Sequence, residues 1–371
     1  SSYFYSIYIA NKWYDGALVY SARINYDNNC FFVFLKELLV MASTSSPIRV
    51  AIVGYGNLGR GVEAAIAKNP DMQLTGIYTR RDPSQLTPLH AGTPVHAMDS
   101  LLSHKGQVDV LILCGGSKDD LPKQAPELAA HFNLIDSFDT HARIPEHFAN
   151  VDKAAQGGQC TALISAGWDP GMFSINRIMG EALLPQGATY TFWGKGLSQG
   201  HSDAIRRVPG VAQGVQYTIP VQAAVDAVRS GSCPTLSTRE KHERHCYVVL
   251  AEGAEAEVVR HTIVTMPHYF DEYDTTVNFI SAEEFAREHS TMPHGGFVIR
   301  SGRTSAGTNQ VVEYRLQLDS NPEFTASVLV AYARAVHRMA QMGLHGAKTV
   351  FDVAPGWISA KSPAQLRQEA L

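Results

Sequence analysis

A chain of 371 residues, 45% hydrophobic and 18% charged, is long enough to bury two cores, and its net charge of −4 offers no basic field for nucleic acid or an acidic membrane surface. The five cysteines (Cys30, Cys114, Cys160, Cys233 and Cys246) are scattered and form no C-x-x-C pair, so they imply no disulfide framework and fit a reduced, cytoplasmic protein.

Residues 1–40 are rich in Tyr and Phe and lack a sustained period. They have no early basic cluster of the kind that opens a signal peptide, and Asn11, Lys12, Asp15, Arg23 and Asp27 interrupt their apolar pieces. Phe31 to Met41 is too short to span a membrane and contains Lys36 and Glu37. Met41 is the first methionine, and the expectation is that it is the native start, with residues 1–40 an extension outside the native fold. An ordinary surface-packed extension is the other reading.

Ile48 to Val53 is a β-branched run, the pattern of a strand buried on both faces, and Gly54-x-Gly56-x-x-Gly59 follows it directly. Arg60 to Lys68 then places Val62 and Ile66 on one helical stripe. A strand, a glycine turn and a helix N-terminus together make a dinucleotide site. The first Gly permits the turn, the second lets backbone approach a pyrophosphate, and the third allows close packing. Gly54, Tyr55, Gly56, Asn57, Leu58 and Gly59 are therefore expected at the cofactor.

Gln73 to Thr79 reads as the second strand and ends in Thr79-Arg80-Arg81, about twenty residues beyond the glycines. An acidic residue there suits the NAD ribose; a hydroxyl and two arginines suit the 2′-phosphate of NADP. Val108 to Cys114 is a further strand running into Gly115-Gly116-Ser117, a loop placed along the nicotinamide side. A helix over Leu121 to Phe132, a strand over Asn133 to Ser137, a helix over Pro145 to Gln156 and a strand over Thr161 to Ser165 continue the alternation. This is the signature of a Rossmann-type, doubly wound parallel sheet. The cofactor is accordingly also expected on Ser137, Phe138, Ala166, Gly167, Trp168, Asp169 and Pro170.

The rhythm changes beyond Gly171. Met172 to Leu184 is helical, Thr189 to Trp193 is a strand, and residues 194–203 read as a loop. A helix is expected over Pro220 to Arg229, with strands at His245 to Leu250 and Thr275 to Ile280. Gln310 to Leu318 alternates, with Val312, Tyr314, Leu316 and Leu318 on one face, and predicts a half-exposed strand. Phe324 to Met342 is a long helix with Val328, Ala331, Ala335 and Met339 on one stripe. The expected organisation is a dinucleotide-binding domain at 41–168, completed by a C-terminal segment at 324–371, and a mixed α/β substrate-binding and dimerisation domain at 169–323. His242-x-x-His245 beside Cys246 has no partner ligands at a shared spacing, and no metal is expected.

Five segments make the chain recognisable: 52–59 (Ile-Val-Gly-Tyr-Gly-Asn-Leu-Gly), 165–177 (Ser-Ala-Gly-Trp-Asp-Pro-Gly-Met-Phe-Ser-Ile-Asn-Arg), 192–204 (Phe-Trp-Gly-Lys-Gly-Leu-Ser-Gln-Gly-His-Ser-Asp-Ala), 292–296 (Met-Pro-His-Gly-Gly) and 321–327 (Asn-Pro-Glu-Phe-Thr-Ala-Ser). From about Ile48 to about Pro355 the sequence resembles the NADP-dependent meso-diaminopimelate D-dehydrogenases of bacterial lysine and cell-wall precursor metabolism; residues 1–40 lie outside the resemblance. It implies oxidative deamination of the D-centre of meso-2,6-diaminopimelate to L-2-amino-6-oxopimelate, which cyclises to tetrahydrodipicolinate, with release of ammonia and NADPH, in a homodimer. It also implies that Asp139 and Asp169 contact the amino group at the reacting end, with Trp168, Trp193, Gln199 and Gly200 beside it. Thr218, Arg244, His294 and Asn321 would hold the distal L-centre.

The chemistry needs such a set: anchors for two carboxylates, acceptors for ammonium, and walls that exclude water. Read alone, Asp139 is as readily a helix cap, and the segment around Arg244 a solvated face. Hydride loss needs a neutral amine, so the oxidative rate should rise above neutral pH; the sequence assigns no general base. Two other readings keep the glycine loop. One is a different NADP oxidoreductase, of dihydrodipicolinate-reductase or saccharopine-reductase type, which would not need segments 165–177 and 192–204. The other is a non-catalytic NADP sensor, which would not need paired anchors for a dicarboxylate.

Overall fold

The structure is a computed structural model that describes residues 7–14, 17–26, 29–31 and 46–371. The stretch that holds Met41 lies outside the described residues, and so does the expectation attached to it. The chain forms two units, Ser1–Pro47 and Ile48–Leu371. Within the first, where the sequence showed no sustained period, β1 (Ile7–Tyr14), β2 (Ala17–Tyr26) and β3 (Asn29–Phe31) pair as an antiparallel meander.

The second unit opens on β4 (Ile48–Val53), α1 (Asn57–Ile66), β5 (Met72–Thr79), β6 (Val95–Ala97), β7 (Val110–Leu113), α2 (Leu121–Ala129), β8 (Leu134–Asp136), α3 (Ile144–Gly158), β9 (Thr161–Leu163) and α4 (Met172–Leu183). It continues with β10 (Gly187–Trp193), β11 (Gly196–Leu197), α5 (Gln199–Arg206), β12 (Val211–Pro220), α6 (Gln222–Arg229), α7 (Thr238–Lys241), β13 (His242–Leu250), α8 (Ala256–Val264), β14 (Asp274–Phe279), α9 (Ala282–Glu288), β15 (His294–Ser305) and β16 (Thr308–Leu318). It closes with α10 (Asn321–Gln341), β17 (Gly346–Lys348) and α11 (Pro363–Ala370).

A seven-stranded parallel sheet runs β17-β9-β8-β7-β4-β5-β6. Its central strands alternate their cores as a doubly covered sheet must. Val50 and Ile52 pack with Val62 and Ile66 of α1 and Leu329 and Val336 of α10. Ala51 and Val53 pack on the other face with Ala125 and Leu128 of α2 and Val151 and Ala155 of α3. The strand order reverses at β4, so the crevice outside the ends of β4 and β7 is where this topology places a ligand. Helix α10 returns to this sheet and is pinned there by Arg334, whose guanidinium grips Asp71 (2.7 Å to Oδ1) and Asn69 (2.9 Å).

Two further sheets, β10-β15-β16 and β11-β12-β13-β14, carry the middle of the chain. In the second, β13 pairs antiparallel with β12 and parallel with β14, which sets Thr218 opposite Arg244 and Arg244 opposite Thr275.

Several boundaries differ from expectation for local physical reasons. Helix α1 starts at Asn57, not Arg60, because Gly59 lies in its first turn against the Gly54 carbonyl. Pro220 ends β12 and does not open the following helix, and β13 begins at His242, three residues early. Gln199 and Gly200 open α5 and do not sit in a loop. The alternating strand at the sheet edge is wetter than its pattern suggests: Leu318 is buried and Tyr314 and Leu316 half-buried, but Val312 on the same face is 44% exposed. The apolar cluster that covers this face takes in Leu318, Leu316 and Tyr314 with Trp168 and Phe173 and stops short of Val312.

Candidate active site

The nucleotide end is made by backbone. Gly54 has φ +89°, a turn that favours glycine. A Cβ on Gly59 would lie 2.4 Å from the Gly54 carbonyl oxygen, whereas a Cβ on Gly56 would have nothing within 4 Å. The second glycine thus faces open space above β4, as backbone that must approach a pyrophosphate requires. A groove of about 280 Å³ runs past Gly54, Tyr55, Gly56, Thr79, Arg80, Arg81, Cys114, Gly115 and Gly116. These residues fit a dinucleotide.

Side chains at this end take up specific partners. Tyr55 turns its ring inward, where its phenol bonds the buried Glu63 carboxylate; burial, and then that carboxylate, push its pKa up to about 12. Its carbonyl accepts from Arg81, and Arg81 N–H donates to the Thr79 hydroxyl (3.1 Å). Arg80 pairs with Asp120 at 2.6 Å, and Asp120 also accepts the Gly116 amide at 3.0 Å. The Gly116 amide, followed by Arg80, holds the Asp120 carboxyl below its ordinary range. Asp120 was not singled out in the sequence: nothing local marks a helix-start Asp as the tether between Arg80 and the Gly115-Gly116 loop.

A larger cleft of about 780 Å³ continues from there. Asn57, Leu58, Cys114, Gly115, Gly116, Ser117, Ser137, Ala166, Gly167 and Pro170 line it on the side of the parallel sheet, together with Asp139, Trp168 and Asp169. Trp193, Gln199, Gly200, Thr218, Arg244, His294 and Asn321 line it from the other elements. Two residues expected at the cofactor lie off the cleft wall. Gly59 is packed in α1, and Phe138 is 1% exposed with its ring stacked on His147 at 4.2 Å.

The rim is set by a buried node. Asp136 at the end of β8 accepts the amides of Phe138 (3.0 Å) and Ser165 (2.9 Å) and bonds His147 (2.7 Å). This ties together the two strand ends from which Asp139 and Asp169 emerge. Asp139 is exposed, and its amide donates to Ser117 Oγ at 3.1 Å. The N-cap position of the next helical turn is Thr140, so the helix-cap reading of Asp139 does not hold.

Asp169 is held far more tightly. Arg177 Nη2 lies 2.9 Å from Oδ1 and 2.8 Å from Oδ2, and the Trp193 indole donates to Oδ2 at 2.7 Å. Two donors fill Oδ2 and one meets Oδ1, so an acceptor position on Oδ1 is left for a further donor. Arg177 is itself fixed by Thr191 Oγ1 at 3.0 Å. Trp193 is fixed by His242, whose Nε2 accepts the Trp193 amide at 2.9 Å and whose ring stacks on the indole at 5.3 Å. Burial first, then the Arg244 charge, push His242 down to about 3, so it serves as a neutral acceptor. On the opposite side the Trp168 indole donates to Asn321 Oδ1 at 2.8 Å and its ring packs on His294 at 4.8 Å.

At the far wall Arg244 is 7% exposed, and its Nη1 donates to the Thr218 hydroxyl. Burial lowers the pKa of His294, and it pushes His201, with the Arg244 charge as the next cause, down to about 4. His201 lines the cleft and bonds Ser198 Oγ through Nδ1 at 2.8 Å. Its place inside segment 192–204 was the signal that could have flagged it. Among the described residues no group of His, Cys, Asp or Glu is arranged to hold a metal, and no helix is long and apolar enough to cross a membrane.

The profile of the diaminopimelic acid dehydrogenase C-terminal domain matches residues 167–320. A meso-diaminopimelate D-dehydrogenase of Ureibacillus thermosphaericus is 61% identical over 326 residues, 88% of this chain and 100% of that protein. The structure of Corynebacterium glutamicum DAP dehydrogenase in complex with DAP matches with a TM-score of 0.81 and 48% identity, covering 88% of this chain and 100% of that one. An engineered D-amino acid dehydrogenase bound to NADP+ matches with a TM-score of 0.76 and 47% identity, over 88% of this chain and 100% of that one.

Proposed function

The chain belongs to the meso-diaminopimelate D-dehydrogenase family, and from that premise we propose how its cleft carries out the reaction. The protein is an NADP-dependent amino-acid dehydrogenase of lysine biosynthesis acting on a CH–NH2 group. It converts the D-centre of meso-2,6-diaminopimelate reversibly to L-2-amino-6-oxopimelate, the open form of tetrahydrodipicolinate. Ammonia is the co-product in this reading. The observation that carries the assignment of residues is the single cleft that joins a glycine-lined groove to two rim carboxylates and a buried arginine.

Gly54 to Leu58, Thr79, Arg80, Arg81 and the strand-end residues 114–117 would hold NADP, with Arg80 and Arg81 at the 2′-phosphate. The cofactor supplies the hydride acceptor. The chain does the rest by position. Arg244, with Thr218, His294 and Asn321, fixes the distal L-centre; the arginine fork suits a carboxylate where lysine does not. Asp139 and the free acceptor position of Asp169 take the ammonium at the reacting end. Trp168 and Trp193 wall this end and limit water. Once the distal end is fixed, only the D-carbon can face the nicotinamide, and stereochemistry follows from a two-ended grip.

We also read the protein as a cytoplasmic homodimer in which residues 169–323 form the substrate-binding and dimerisation domain and residues 41–168 with 324–371 the dinucleotide-binding one. The exposed Val312 on edge strand β16, at the outer end of the face that carries Tyr314 and Leu316, supports a covered face there, and the free thiols support a reducing compartment. Sedimentation gives the mass that checks the dimer.

The direct test follows nicotinamide reduction with meso-, LL- and DD-diaminopimelate, each with NADP and with NAD. Turnover with the meso isomer and NADP is expected. Silence with all three isomers, alongside measurable NADP binding, would leave the dinucleotide fold and discard the substrate.

A further inference from the structure

Three arginines of the described residues are buried to a similar degree, and two are saturated. Arg334 is met by the Asp71 carboxylate and by Asn69. Arg300 is met by the carbonyls of Leu184 and Pro185 and by Thr189 Oγ1. Arg244 is different. Its Nη1 donates to the Thr218 hydroxyl; its Nε is buried without a partner, and no carboxylate of the described residues pairs with it. The Nε–Nη2 edge, the side of a guanidinium that accepts a carboxylate with two parallel bonds, is thus free.

What stabilises this uncompensated charge is the face of Tyr273. The Arg244 Cζ lies 3.8 Å from the centre of that ring. The contact is built by the fold. Tyr273 immediately precedes β14, whose parallel pairing with β13 sets Asp274 opposite Glu243 and Thr275 opposite Arg244. The turn before it closes on Met266, whose carbonyl accepts the amides of Tyr269, Phe270 and Asp271 at 3.0–3.4 Å, and the Tyr273 amide donates to the Phe270 carbonyl at 3.0 Å. Phe270, fully buried, sets its ring edge-on to His201 at 5.6 Å. The tyrosine is therefore delivered by an anchored turn.

The geometry points to Tyr273 as a positioning residue for the distal carboxylate: its ring face holds the Arg244 guanidinium desolvated and in one plane, with the free edge presented to the substrate. A stacked cation keeps its in-plane donors available, whereas a counter-carboxylate would consume them. The ring face, 3.8 Å from the guanidinium carbon, carries this role. This inference rests on the reading of Arg244 given above.

The test compares Tyr273→Phe, Tyr273→Leu and Tyr273→Met with Arg244→Met and with the double variant Arg244→Met/Tyr273→Leu. Each is checked by circular dichroism and NADP affinity. Tyr273→Leu is expected to raise the KM for meso-diaminopimelate about tenfold with kcat within about twofold, and Tyr273→Phe to stay within about twofold of the parent. Tyr273→Met, which also lacks the ring, repeats the effect should Tyr273→Leu fail to fold. In the Arg244→Met background, Tyr273→Leu adds nothing. A raised KM in Arg244→Met with a normal KM in the folded ring-less variants overturns the Tyr273 assignment alone, as does a Tyr273→Phe as impaired as Tyr273→Leu. A normal KM in Arg244→Met overturns the carboxylate seat and Tyr273 with it.

Discussion

The two ends of the cleft are made of different material. At the nucleotide end the working surface is peptide: Gly54, Gly56, Gly115 and Gly116 bring backbone to the groove, and the side chain of Tyr55 turns away from it. At the substrate end the surface is side chains. Thr218 comes from β12, Arg244 from β13, His294 from β15 and Asn321 from the start of α10. A backbone site can be written in one short stretch of sequence, because neighbouring residues build it. A side-chain site is assembled by sheet pairing between residues that are distant in the chain.

The strongest way to sharpen this contrast is Asp169→Asn. The substitution keeps the shape of a side chain that is met by Arg177 and Trp193, but removes the charge proposed above to accept an ammonium. We expect kcat to fall about a hundredfold or more, while NADP affinity changes little. Initial rates and cofactor titration of the same preparation measure both. A rate constant and pH profile equal to the parent's would end the reading of Asp169 as the acceptor for the ammonium at the reacting end.

A pair of glycine substitutions probes the other end at smaller effect. In Gly59→Ala the new methyl meets the Gly54 carbonyl oxygen at 2.4 Å, so the helix must shift, and we expect a loss of stability on the order of 2 kcal/mol. In Gly56→Val the added group projects into open groove. Its melting temperature should match the parent's while NADP affinity drops about tenfold or more. Equal melting losses in both variants would mean that the motif serves packing alone.

The same contrast explains what was legible in the sequence. The strand-turn-helix at 48–66 and the Thr79-Arg80-Arg81 end of β5 could be read from composition, period and glycine spacing, because their contacts are local. Asp139 and Asp169 could be placed on one rim, because parallel strands deliver their ends to the same edge. The far wall was not readable this way. Arg244 in its charged segment looks like a solvated face until β12 and β14 flank it, and only the resemblance to a family nominated it. Arg177, His242 and Tyr273 act through other residues, and no spacing rule announces that. The wet outer half of β16 escaped for the opposite reason: alternation records which residues share a face, not whether a layer covers it.

The smallest expected effect concerns His242, which joins the two lessons because it is a side chain used as a fixed acceptor, like a piece of backbone. Its neutral ring accepts the Trp193 amide, and burial with the Arg244 charge holds it near 3, far below the ordinary 6.5. In the unfolded chain the ring regains that ordinary value. Between about pH 6.5 and about pH 3 the unfolded state therefore binds one proton more than the folded state, and stability from this group falls as pH falls. The slope for one group is about 1.4 kcal/mol per pH unit once the unfolded ring is fully charged, and less near its own pKa. His201, pushed to about 4, has the same sign. His242→Gln keeps an acceptor for the Trp193 amide and removes the titration. Its denaturant midpoint should be close to the parent's at about pH 7, and its stability should fall on going to about pH 5.5 by roughly 1 kcal/mol less than the parent's does. Parallel slopes in the two proteins would mean that the His242 ring is charged in the fold, and could not then accept from Trp193.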